Sequence, residues 1–187
     1  CHMDLGVLGR HNTMNALAVA ATSWVMGIPG QKVTDGVKAF HGAGRRMEYK
    51  GEYRGAKVYD DYAHHPDELR ATLEAVRGMG DHRIVLAFQL HTYTRTKLLM
   101  DDFIRELQKA DVVVLAEIYA ARESNTIGIS SADLAAQIPG SIYCETLQDV
   151  TDCLRSIVRE GDIVLTMGAG DIFRAGEALL SGEDSKK

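Results

Sequence analysis

Apolar and polar positions alternate in two different rhythms along the chain. From Asp4 to Arg46 the rhythm is helical. Residues Asn12 to Met26 are Ala-rich with an apolar residue at nearly every turn, and Gly27 and Pro29 stop that helix. Val33, Val37 and Phe40 mark a short second helix closed by His41 and Gly42. Two helices this short do not make a core by themselves, so they are expected to pack on something else. Val19, Trp24, Val25, Met26, Val33 and Val37 are the positions expected to make that contact.

From Met47 onward short apolar runs alternate with amphipathic stretches. A hairpin around Lys50-Gly51 is expected to lead into a strand at Val58-Tyr59. Pro66 to Val76 is predicted helical, with Pro in the first turn and Asp67 and Glu68 placed where acidic side chains favour the helix dipole. Arg83 to Phe88 is a continuous apolar strand, Lys97 to Lys109 a helix with Leu98, Phe103, Ile104 and Leu107 on one face, and Val112 to Ile118 a second buried strand. A helix over Ser131 to Ile138, a weak strand over Ser141 to Tyr143, a helix over Leu147 to Val158, a strand over Ile163 to Met167 and a last helix over Asp171 to Leu180 complete the pattern. Continuous apolar strands separated by amphipathic helices predict an α/β fold, a Rossmann-like, doubly wound and mostly parallel sheet covered on both faces. Residues 181–187 are polar and expected to be mobile.

Composition narrows the function more than the fold. The chain has 187 residues, 45% hydrophobic and 25% charged, which suits one packed domain with a small appendage. Lys and Arg number 21 against 26 Asp and Glu, a net charge of −5 that leaves no electrostatic footprint for nucleic acid or an anionic membrane. No apolar run reaches the roughly 20 residues of a membrane span, and the opening lacks the pattern of a signal peptide. Cys1, Cys144 and Cys153 form no cluster, which favours a reducing compartment, and the cytoplasm is the expected location. Residues 1–3 read as a cloning scar.

In doubly wound sheets ligands sit beyond the carboxyl ends of the strands. Four stretches fall there. Asp60-Asp61-Tyr62-Ala63-His64-His65 joins two carboxylates and two imidazoles at a helix start. It offers groups for a ribose hydroxyl, a carboxylate or a proton. The plainer alternative is that His65 caps the helix and Asp60 is solvated. Gln89 to Arg95 places His91 four residues from Arg95, whose planar fork suits a carboxylate or phosphate. A helix-capping arginine is the alternative. Glu117 to Glu123 contains two carboxylates able to accept from an ammonium, or merely exposed in a loop. Gly168-Ala169-Gly170-Asp171 is a turn that can present free N–H groups to an anion, or simply let strand and helix pack closely. In the lead segment Asn12 and Asn15 share a helix face, and Asn12 is equally readable as an N-cap.

His11-Asn12-x-x-Asn15-Ala16, Gly44-Arg45-Arg46, Asp60-Asp61-Tyr62-x-His64-His65-Pro66, Phe88-Gln89-x-His91-x-Tyr93-Thr94-Arg95 and Gly168-Ala169-Gly170 come in an order that resembles the Mur ligases over essentially the whole chain. The Asp-Asp-Tyr-x-His-His-Pro and Phe-Gln-x-His strings look most like the members that add L-alanine. That resemblance implies an ATP-dependent amide-forming reaction in peptidoglycan precursor synthesis. The carboxylate of UDP-N-acetylmuramate is phosphorylated and then attacked by the amine of L-alanine, with Mg2+ as the accompanying ion. It implies that residues 4–46 are the last helices of a central ATPase domain and 47–180 a C-terminal, amino-acid-binding domain. The family's phosphate-cradling pattern Gly-x-x-x-x-Gly-Lys-Ser/Thr is absent, so the chain is expected to be inactive alone. By the same resemblance Asn12, Asn15, Arg46 and Asp61 match ATP-binding positions, with Asp61 suited to the ribose. Tyr62, His64, His91 and Arg95 match positions around L-alanine; Gly168 and Gly170 stay the candidates for an anion or substrate loop on the strength of their turn alone. None is a metal ligand, and no catalytic residue is expected in this segment alone. Leu90 replaces a usual Pro, which implies a looser loop, and Thr92 replaces a frequent Arg, which implies a one-arginine clamp. A related ligase for another amino acid or peptide, and a non-catalytic binding module, stand as alternatives. Without a central domain to cover them, the apolar positions of residues 12–40 are expected to be disordered, to fold back on the α/β part or to pair with a second copy of the chain, and a truncation-induced pairing is the favoured outcome because it buries both patches at once.

Overall fold

In the computed structural model, which describes residues 2–7, 9–40 and 42–182, the chain forms two compact units, residues 1–44 and 45–187. Cys1, His41 and residues 183–187, on which the expectations of a vector-derived start, a helix closure and a mobile tail partly fall, lie outside the described residues. The first unit holds α1 (Arg10–Val25) and α2 (Gly30–Ala39). Neither has a core of its own: among the described side chains α1 buries only Ala16 and Ser23, and α2 buries nothing.

The second unit is a six-stranded sheet in the order β1-β2-β6-β3-β4-β5. Its strands are β1 (Glu48–Tyr53), β2 (Ala56–Asp61), β3 (Ile84–His91), β4 (Val112–Tyr119), β5 (Ile142–Cys144) and β6 (Ile163–Met167). All neighbours pair in parallel except β1 with β2. Around it lie α3 (Pro66–Arg77), α4 (Tyr93–Leu98), α5 (Met100–Leu107), α6 (Ser131–Ala135), α7 (Leu147–Ile157) and α8 (Phe173–Ser181). The strand period of two sorts side chains into two cores. Ile84, Leu86, Phe88 and Leu90 of β3 join Leu69 and Leu73 of α3, Phe103 and Leu107 of α5 and Leu134 of α6. Val85 and Ala87 point the other way, toward Val150 and Leu154 of α7 and Ala175 and Leu179 of α8. Each fully buried Leu or Phe side chain contributes roughly 1.5–3 kcal/mol. Burial on both faces is why the central strands read as unbroken apolar runs.

Three details differ from the sequence expectation. The hairpin turns at Arg54-Gly55, not Lys50-Gly51: φ of 50° and 77° at those two residues gives the twist that antiparallel strands need. Lys50 and Gly51 lie inside β1, at a bulge between Tyr49 and Gly51. The helix expected over 97–109 is two helices broken at Leu99, where φ is −111°. The break follows from the apolar stripe changing phase. Leu99 packs on the core while Leu98, expected to face it, is 82% exposed. Leu90, expected to loosen a loop, is fully buried in β3 where the register to β4 shifts, so the core anchors it.

Candidate functional site

The carboxyl ends of β2, β6, β3 and β4 lie side by side, and eight of the ten expected site residues sit just beyond them. Asn12 and Asn15 lie in the first unit, on the first turns of α1, with Asn15 Nδ2 3.4 Å from Asn12 Oδ1. The N-cap of that helix is Gly9, so Asn12 is inside the helix and does not cap it.

After β2 the chain turns into α3 through a capping box. His65 accepts from the Asp67 N–H, and Glu68 accepts from the His65 N–H at 3.2 Å. Asp60 is buried, not solvated. Its Oδ2 accepts from Arg45 Nε at 2.8 Å and its Oδ1 from the Thr166 hydroxyl at 2.9 Å. Asp61, expected to face a ribose, is also turned inward. Oδ2 accepts from the Met47 N–H at 3.0 Å and from Thr72, and Oδ1 accepts from the Ala63 N–H at 2.8 Å. Burial raises its pKa, and those N–H groups and the Arg46 charge pull it back. Arg46 itself is exposed, with Nη1 3.6 Å from Glu68 Oε1. The carboxylate of Glu68 loses hydration by burial, yet the N–H and the ring of His64 and the charge of Arg46 bring its pKa down.

Tyr62, His64 and His91 form a row of rings that ends on Tyr119. Centroids are 5.4 Å apart for Tyr62 and His64, 5.9 Å for His64 and His91, and 5.6 Å for the stacked His91 and Tyr119. Arg95 stands beside the row at the start of α4, where its charge is felt at His91. Burial first, then the charges of Arg95 and His64, lower the pKa of His91 against a small opposing pull from Glu123. His91 Nδ1 and Arg95 Nη1 are buried with no hydrogen-bond partner among the described residues. Buried donors of this kind are normally paired.

The loops that carry these groups are stitched together. Thr92 adopts φ 70° and ψ 142°, a conformation that L-residues avoid, and its N–H donates to the Tyr119 carbonyl at 2.9 Å. Glu123 accepts from the Thr94 N–H at 2.9 Å and from the Thr94 hydroxyl, bonds that lower its pKa. Glu117 is committed as well, accepting from the Ser131 N–H at 3.2 Å and the Tyr143 hydroxyl at 2.6 Å. Both carboxylates expected to await an ammonium therefore hold the fold. The Gly168–Gly170 turn is tied to its neighbours as well. The Gly168 N–H donates to the Asp61 carbonyl at 3.0 Å, and the carbonyls of Gly168 and Gly170 accept from Arg45 Nη2 at 2.7 Å and Nη1 at 3.2 Å. Gly168 must be glycine: at φ 149° a Cβ would lie 2.6 Å from the Gln89 carbonyl oxygen.

Arg45 and Tyr119 are the residues that sequence reasoning underweighted. A strand-end aspartate destined for burial needs a cation, and two adjacent arginines supply candidates, but the sequence does not say which one turns inward. Among the described residues no three His, Cys, Asp or Glu side chains group together as the ligands of a metal ion.

Comparison with known proteins places these features in a family. Residues 45–170 match the family model described as Mur ligase, glutamate ligase domain. The UDP-N-acetylmuramate–L-alanine ligase of Lachnospira eligens is 46% identical over 182 residues, 95% of this chain and 40% of that protein. The protein of the same name from Caldanaerobacter subterraneus is 42% identical over all of this chain and 41% of its own length. The crystal structure of the UDP-N-acetylmuramate-alanine ligase of Thermotoga maritima superimposes with a TM-score of 0.81 at 30% identity, covering 99% of this chain and 40% of that one. The chain thus spans about 40% of the length of the relatives it matches.

Proposed function

The chain belongs to the Mur ligase family, and from that premise we propose that it is the amino-acid-binding part of an ATP-dependent ligase that joins L-alanine to UDP-N-acetylmuramate. The observation that carries this reading is that Arg95 Nη1 and His91 Nδ1, from residues close enough for the arginine charge to be felt at the imidazole, are both buried without a hydrogen-bond partner among the described residues. A carboxylate fits both: the guanidinium supplies fixed charge and the imidazole a second donor in its Nδ1–H or protonated form. The rings of Tyr62, His64 and Tyr119 line up along the same strand ends. A carboxylate anchored there leaves the amine free to attack an activated acyl group.

Each unit carries its own candidates for contact with a nucleotide. Arg46 is the exposed cation after the second unit begins, and it is the group we assign to ATP there. Asp61 stands behind it, holding the turn that carries Tyr62. Asn12 and Asn15 are the polar pair assigned to ATP in the first unit. The chain alone does not turn over ATP in this reading, because no Gly-x-x-x-x-Gly-Lys-Ser/Thr loop is present to hold the transferred phosphate.

Titration of the chain with L-alanine, followed by NMR of the His91 and Arg95 side chains, tests the assignment. Both sets of signals shift with L-alanine and stay put with alaninamide, which lacks the carboxylate. Arg95→Ala weakens the response about ten- to a hundredfold, the worth of one charge-assisted contact. Equal responses to glycine, D-alanine, L-serine and L-alanine would remove the L-alanine assignment, and no response to any of them would remove the site.

A further inference from the structure

We infer that Arg45 is a positioning residue of this site, holding both ends of the ring row that runs from Tyr62 to Tyr119; the inference rests on the amino-acid-binding reading of that row. Each polar group of Arg45 has a separate task. Nε binds the buried Asp60 at 2.8 Å, Nη2 the Gly168 carbonyl at 2.7 Å and Nη1 the Gly170 carbonyl at 3.2 Å. The guanidinium thereby ties the carboxyl end of β2 to the turn after β6. Its face lies between two rings, 5.0 Å from the Tyr62 centroid and 4.6 Å from that of Phe173. The Arg45 backbone, at φ 57°, adds a further hold, because its carbonyl accepts the Tyr62 N–H at 2.7 Å.

Tyr62 is therefore fixed at its main chain and at its ring by one residue. The far end of the row is held through Gly170. A Cβ built there would fall 2.7 Å from Tyr119 Cγ, so the turn already lies against the Tyr119 side chain. Moving the Gly168–Gly170 carbonyls moves the wall behind Tyr119, and Tyr119 stacks on His91. A counterion for Asp60 would need one nitrogen. Three nitrogens on three acceptors and a stacked face describe a clamp, a geometry that the single ammonium of lysine cannot copy.

Two variants separate clamp from counterion. Arg45→Lys keeps a positive charge beside Asp60. The double variant Arg45→Met with Asp60→Asn removes both charges together, so no unpaired charge is left buried, and it keeps an oxygen for Thr166. Thermal melts establish that each variant is folded. In a folded variant the Tyr62, His64 and His91 ring signals and the Gly168 and Gly170 amide signals move. The L-alanine dissociation constant then rises roughly ten- to a hundredfold, the scale of a misplaced binding group. Ring and glycine signals that coincide with wild type in Arg45→Lys overturn the inference, as does an L-alanine affinity equal to wild type in both variants. If wild type itself shows no response to L-alanine, the amino-acid reading fails, and the ring and glycine signals alone decide whether Arg45 is the clamp.

Discussion

His91 is the residue whose protonation reports on the site. Burial, and after it the charges of Arg95 and His64, keep it below the ordinary histidine value of 6.5, so the folded chain binds that proton less readily than the unfolded chain. Its contribution to stability is complete above pH 6.5 and declines as the pH drops from there toward the folded value. An NMR titration should place the His91 midpoint below that of an unfolded reference peptide, and saturating L-alanine should raise it, because a bound carboxylate favours the imidazolium. A downward movement on adding L-alanine would mean that the carboxylate binds elsewhere. Thr92 offers the second test at this scale. A residue other than glycine at φ 70° and ψ 142° costs of order 1–3 kcal/mol. Allowing for the entropy of glycine, Thr92→Gly should stabilise the fold by up to about 2 kcal/mol, seen as a later midpoint in urea, while weakening L-alanine binding because α4 and Arg95 lose their fixed start. A less stable variant would show that Thr92 is not strained. Sequence reasoning found the row of side chains at the strand ends because the strand-end rule depends only on topology. It missed the inward turns of Asp61 and Arg45, because both depend on which polar groups converge in three dimensions.

Elements were legible where burial dictated them and illegible where local geometry did. β6 was read to the residue, since Ile163 to Met167 is apolar at every position but Thr166 and buried on both faces. The break at Leu99 was not, because two adjacent leucines satisfy the helical period equally well and only the core decides between them. The β1–β2 turn was placed at the wrong glycine, for Lys50-Gly51 and Arg54-Gly55 look alike without a partner strand. Gly55 makes the distinction testable. At φ 77° a side chain is strained by about 1–2 kcal/mol, and the Cβ would also press on Glu160, whose flexible chain can move aside. Gly55→Ala should therefore lower stability by that amount in chemical denaturation. A change below a few tenths of a kcal/mol would place the turn elsewhere.

As a whole the molecule joins a well-buried sheet unit to a helical unit with almost no core. Trp24 and Val25 are each 85% exposed and Met26 70%. Helices of this length are marginal when their apolar side chains stay in water. Amide hydrogens of residues 10–40 should exchange well ahead of those in β3 and β6. Self-association through residues 12–40 should appear as sedimentation that depends on concentration, with Trp24 quenched by iodide in dilute samples and shielded in concentrated ones. A monomer at every concentration, with unchanged quenching, would rule that pairing out. The strand order carries a different consequence, one for biosynthesis. β6 is the last strand to be translated, yet it lies between β2 and β3 and pairs with both. Until it emerges from the ribosome, β1 and β2 have no partner for their inner edge, and neither have β3, β4 and β5. Some hundred residues separate Asp61 from Ile163, on the order of 5–20 seconds of synthesis, during which two half-sheets wait with open edges of the kind that seed aggregation. Any ribosome stall or nonsense codon before Ile163 leaves a polypeptide that holds most of the site motifs and cannot bring them together.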